Sequence, residues 1–162
     1  MWWIAWGLAA EPPTLASLEA ACDRGDLPSC TQAAIRLLGT PGRPGDLAKA
    51  TARFEPACKG GDIAACRGLG VLLLDGQPPA DDRVRGATLL EDACINHRDG
   101  GSCMRLGDLS EALVLPYDAL RYWAEACSYG FDAGCTRASD GPPAAPPATP
   151  PPPAPPAAPK SR

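Results

Sequence analysis

Apolar and small residues along this chain recur every three or four positions, in short blocks. Cys66, Leu69, Gly70, Leu73 and Leu74 mark one face of a helix. Leu89, Leu90, Ala93 and Cys94 mark the same kind of face on the following block, and Leu120, Trp123, Ala124 and Cys127 do so on a later one. The Pro/Gly-rich stretches Thr40–Gly45 and Gly76–Ala80 break the pattern, as does Leu115-Pro116. This patterning predicts eight helices, at 14–24, 29–39, 46–59, 63–75, 82–96, 102–113, 117–128 and 132–138.

The blocks repeat. Eight cysteines fall in four close pairs along the chain, at Cys22/Cys30, Cys58/Cys66, Cys94/Cys103 and Cys127/Cys135, and the first members are 36, 36 and 33 residues apart. A period in the mid-thirties is the length of one helix–turn–helix repeat. Each junction carries Ala-Cys at the end of a helical block, then glycine, usually an aspartate, and a new helix. Glycine supplies the left-handed residue that ends a helix, and aspartate caps the next one. The third junction is one residue longer and has Gly100-Gly101 shortly before its second cysteine. The expected fold is all-α, with antiparallel helix pairs stacked into a short right-handed solenoid.

Composition qualifies this picture. From Glu11 to Asp140 only 30 of 130 positions are Val, Ile, Leu, Met, Phe, Tyr or Trp, so much of the apolar content is alanine. Burying so little area barely offsets chain entropy of about 1–2 kcal/mol per residue. Covalent cross-links would make up the shortfall. Cysteines in this number also point to an oxidising compartment, either secreted or in the periplasm and cell envelope.

Net charge is −4, and all 19 acidic residues lie before Gly141, so that the body is close to −6. No basic stripe exists to neutralise a phosphate backbone, which argues against nucleic acid as a partner. No stretch reaches the ~18–20 apolar residues of a membrane-spanning helix. Residues 1–10 form a short apolar run ending in Ala9-Ala10, which reads as a truncated secretory-signal-like segment with no Lys or Arg ahead of it. Residues 11–140 make the repeat domain. Residues 141–162 hold 11 prolines, with alanine as most of the remainder. That composition predicts a disordered, polyproline-like tail that spaces the domain or exposes it.

With the repeats aligned, the chain resembles the Sel-one-like repeat family, relatives of tetratricopeptide repeats, and in particular their secreted, cysteine-rich bacterial (Hcp-type) branch. Cys66-Arg67-Gly68-Leu69-Gly70-Val71-Leu72 and Gly76 match the first-helix pattern of that family. Asp46, Lys49-Ala50, Phe54 and Ala57-Cys58 match its second helix, and Cys103, Leu106-Gly107 and Leu109 repeat the first. Two departures stand out. Ala34 replaces the packing glycine of the first copy, and the third copy lacks its Gly-rich turn. The likeness spans roughly Leu15 to Arg137.

In that branch the two cysteines flanking each junction are bonded. The resemblance therefore implies structural disulfides Cys22–Cys30, Cys58–Cys66, Cys94–Cys103 and Cys127–Cys135. The residues alone leave the pairing open, and the periodicity makes the local set the economical choice. A helical solenoid presents a concave groove in which a protein or peptide lies across successive repeats, so the expected role is an interaction scaffold, monomeric and with no cofactor.

Other chemistries fare less well. Metal and thioredoxin-type redox sites lack Cys-x-x-Cys, and the only histidine, His97, falls in a junction loop as a solvated turn residue. Some members of the branch are described as penicillin-binding proteins or weak β-lactamases, which makes hydrolysis of a β-lactam the alternative function. A serine mechanism needs lysine three positions after the serine. Lys49, Lys59 and Lys160 have no serine at that spacing, and the nearest approach is Ser102-Cys103-Met104-Arg105. The acidic pairs Asp81-Asp82 and Glu91-Asp92 read as capping or solvated groups. Gln32, Arg36, Arg67 and Arg105 are first-helix polar positions that a groove could use, but the four do not recur at one repeat position, so no partner-binding or catalytic residue is assigned.

Overall fold

The structure, a computed structural model, describes residues 12–39, 44–74, 79–112 and 116–141. The signal-like segment 1–10, the proline-rich tail beyond Gly141 and most of the three Pro/Gly or Leu-Pro breaks lie outside the described residues. Among the described residues there are eight helices and no strand. They are α1 (Leu15–Asp23), α2 (Leu27–Leu38), α3 (Pro44–Lys59), α4 (Ile63–Leu74), α5 (Ala80–Ile95), α6 (Gly100–Ala112), α7 (Pro116–Ser128) and α8 (Asp132–Asp140). No helix among them is long and apolar enough to cross a membrane.

All eight predicted helices are present, but several begin up to two residues earlier than the apolar pattern indicates. The reason is first-turn chemistry. Pro28 occupies the first turn of α2, and Pro44 and Pro116 open α3 and α7. Proline fits there because its missing N–H would have no helical partner and its φ is already helical. Gly100 and Gly101, read from sequence as part of the junction, form the first turn of α6.

The junctions share one backbone device. The carbonyl of the alanine preceding each first cysteine accepts a bond from beyond the helix end, from Asp26, Asp62 and Phe131 N–H at 2.9–3.1 Å. Gly25, Gly61 and Gly130 supply the positive φ of +81° to +92° that this chain reversal requires. The third junction differs from expectation. Its positive-φ residue is Arg98 (φ 53°), and its glycines have moved into α6. Asp99 N–H still reaches the Ala93 carbonyl at 3.0 Å, so the extra residue is absorbed without loss of the bond.

Aspartate capping is likewise uneven. Asp62 Oδ1 accepts from the N–H groups of Ala64 and Ala65, and Asp99 Oδ2 accepts from Ser102 N–H. Asp26 sits at the N-cap of α2 but pairs with the Ser29 hydroxyl, and in the fourth junction Phe131 takes the cap position, with Asp132 inside the helix.

Each helix packs on its sequence neighbours, and α2, α4, α6 and α8 also touch in succession, forming one continuous layer. The core repeats with the sequence. Leu18, Phe54, Leu90 and Trp123 each stand four residues before a first cysteine, and all are buried. Four residues after a second cysteine, Gly70 faces Leu90 and Gly107 faces Trp123, and Ala34 at the same repeat position is buried in one cluster with Phe54. A Cβ on Gly107 would lie 2.3 Å from the Trp123 indole, and one on Gly70 would lie 2.9 Å from Leu90 Cγ. The alanine-rich composition thus makes room for a few large side chains by letting helices approach closely.

Four disulfides join adjacent helices. Cys22–Cys30 links α1 to α2, Cys58–Cys66 α3 to α4, Cys94–Cys103 α5 to α6, and Cys127–Cys135 α7 to α8, with Cα–Cα distances of 4.5–4.8 Å. These bonds are compatible with an extracellular or other oxidising compartment.

Candidate functional site

The layer of even-numbered helices carries an open groove of about 600 Å³. Ile35 and Leu38 of α2, Val71 and Leu72 of α4 and Phe131 at the start of α8 give it apolar walls, and Phe54 reaches it from α3. Ile35 is 56% exposed, with Leu38 and Phe131 at 39% and 41%, although each is a large apolar residue. The two charged residues that line it are Arg67 and Arg105.

The structure separates the four polar first-helix candidates. Gln32 and Arg36 are exposed on α2 but do not line the groove. Arg67 lines it, yet is held from below. Its Nη1 donates to Asp99 Oδ1 and Oδ2 at 2.6 and 2.9 Å, and its guanidinium lies so close to Gly101 that a Cβ there would stand 2.7 Å from Nη1. Arg105 is exposed and has no ion pair or hydrogen bond to any described residue.

Arg67 also has a counterpart that sequence inspection missed. Thr31 follows Cys30 as Arg67 follows Cys66, and Thr31 Oγ1 donates to Asp62 Oδ2 at 2.7 Å. In both cases the residue after a second cysteine grips the aspartate that caps the next even helix. The available signal was a polar residue directly after the second cysteine in two successive repeats. It breaks off at Met104.

Asp99 therefore receives two Arg67 contacts, the Ser102 N–H at 2.9 Å and the Ser102 hydroxyl at 2.6 Å. Burial acts to raise the pKa of its carboxyl, but the Ser102 and Arg67 hydrogen bonds and the Arg67 charge together outweigh it and hold the group below the ordinary aspartate value. A depressed folded-state pKa contributes stability that is present above the unfolded value of about 4 and lost as pH falls through the folded one. Urea midpoints measured from neutral pH downward should therefore fall more steeply for the wild type than for Asp99→Asn. At neutral pH that variant should be less stable by about 1–2 kcal/mol. Parallel pH curves for the two proteins would show that Asp99 is not the linked group.

The remaining candidates occupy ordinary positions. Ser102, the serine nearest to a Ser-x-x-Lys arrangement, is buried and donates its hydroxyl to Asp99. His97 Nε2 lies 3.6 Å from Asp92 Oδ2 on the surface. Asp81 and Asp82 sit in the first turn of α5, where carboxylates favour the helix dipole. Glu91 accepts from the Tyr122 hydroxyl at 3.2 Å. Among the described residues no group of three or more His, Cys, Asp or Glu is placed to hold a metal ion, and all eight cysteine sulfurs are in disulfides.

A second polar cluster ties the last three helices together. Arg137 lies over the Trp123 ring, 4.4 Å from Cζ to the centroid, and pairs with Glu111 and with Asp108, the latter at 3.5 Å. Trp123 Nε1 donates to the same Asp108 carboxylate at 3.3 Å. This cluster fixes α8, and with it Phe131, at one end of the groove.

No family model matches the chain, and no curated protein matches it.

Proposed function

We propose that this protein is a Sel-one-like, disulfide-stapled right-handed α-solenoid that acts outside the cytoplasm or in the cell envelope. Its role is to hold a protein or peptide segment in the groove on its even-helix layer. The observation that carries this reading is the groove itself. Ile35, Leu38 and Phe131 come from opposite ends of the chain, stand well exposed despite being large and apolar, and line one continuous depression. Exposed apolar surface gathered in a concave site favours a binding role over simple packing. Successive repeats in a solenoid present such a surface to an extended partner.

The test is capture of partners from envelope extracts by the oxidised full-length protein and by Ile35→Glu. Because Ile35 is exposed, the substitution should leave helical content and melting temperature unchanged. It should place a charge on the groove wall and deplete the captured proteins at least tenfold. Capture of the same proteins in equal amount by both forms would remove the groove from the function.

A further inference from the structure

We infer that the segment bound in this groove is acidic, with apolar side chains flanking a carboxylate that pairs with Arg105; the inference rests on the groove-binding role proposed above. The argument starts from charge. The whole chain carries 19 acidic against 15 basic residues, yet both charged residues that line the groove are arginines. Arg67 is already matched, since Asp99 takes its guanidinium in two hydrogen bonds. Arg105 has no such partner among the described residues and stands exposed beside apolar walls.

A partner that covers those walls also removes water from Arg105. Covering an unpaired guanidinium is strongly unfavourable, so a wholly apolar segment meets a desolvation penalty and a basic one adds repulsion. A carboxylate removes the penalty, and the planar guanidinium can bind it through two parallel N–H···O contacts. Ile35, Leu38 and Phe131 then accept the neighbouring apolar side chains. The ligand class is a short acidic-apolar peptide segment.

The experiment is selection of a random-peptide display library on the oxidised full-length protein, followed by fluorescence polarisation of the selected peptides. Asp or Glu amid apolar residues should be enriched. Arg105→Gln should weaken binding about tenfold or more. Replacing the peptide's acid with its amide should weaken binding by the same factor and abolish the sensitivity to Arg105→Gln, the signature of a coupled pair. Neutral or basic peptides that ignore Arg105→Gln but are lost with Ile35→Glu would overturn the acidic assignment and leave the groove reading intact. Absence of any peptide binding above background would overturn both.

Discussion

In excess reductant and without denaturant, this protein should lose its helical circular-dichroism signal at ambient temperature. Each of the four disulfides closes a loop of about nine residues, worth roughly 2–3 kcal/mol in the chain-entropy model. Treated as independent they contribute roughly 10 kcal/mol, comparable with the entire stability of an ordinary domain at about 5–15 kcal/mol. The core cannot absorb that loss, because it is built from alanine, glycine and a small set of large side chains.

The bonds also differ in access. Cys94 and Cys103 are fully buried, whereas Cys58, Cys66, Cys127 and Cys135 are half-buried. A thiolate must reach a disulfide sulfur to break it. Limited reduction followed by alkylation and mass mapping should therefore find Cys58–Cys66 and Cys127–Cys135 opened first and Cys94–Cys103 last. Retention of full helicity after complete reduction would show that packing alone sustains the fold.

Trp123→Ala is the single substitution with the largest expected effect on packing. Trp123 is fully buried, its indole fills the space that Gly107 leaves open, and it meets both the Arg137 guanidinium and the Asp108 carboxylate. Truncation should cost about 3–5 kcal/mol, read as a drop in the urea midpoint at constant slope. Trp123→Phe keeps most of the packing and should cost clearly less. Because each helix contacts mainly its neighbours, the damage should concentrate in α6–α8, with hydrogen-exchange protection lost there and kept in α2–α4. Uniform loss of protection would show that the chain unfolds as one cooperative unit.

The contrast between Arg67 and Arg105 shows where sequence reading stops. Both appear as polar positions on first helices, at different repeat offsets. Their roles diverge because Asp99 lies 32 residues from Arg67 and meets it only after α4 and α6 pack. The third junction makes the same point on a smaller scale. Gly100-Gly101 looks like the turn, yet the chain places Arg98 at positive φ and puts both glycines in α6, where Gly101 lets Arg67 lie flat against the backbone. Local propensity favours glycine in the turn, and the inter-helix contact overrides it.

By itself the sequence determined the eight helices, the turn glycines of three of the four junctions and the repeating core positions, because each depends on residues within one or two turns of each other. Apolar spacing, first-turn proline and left-handed glycine act locally, and four in-phase copies reinforce the signal. Tertiary structure alone decided which side chains share the groove. Ile35 and Phe131 belong to its walls because stacking brings α2 and the start of α8 onto one face, and no spacing along the chain encodes that meeting. It also decided which charge is spent on structure and which faces the groove. Pairing depends on distance in space, and Arg67 finds Asp99 where Arg105 finds no described partner.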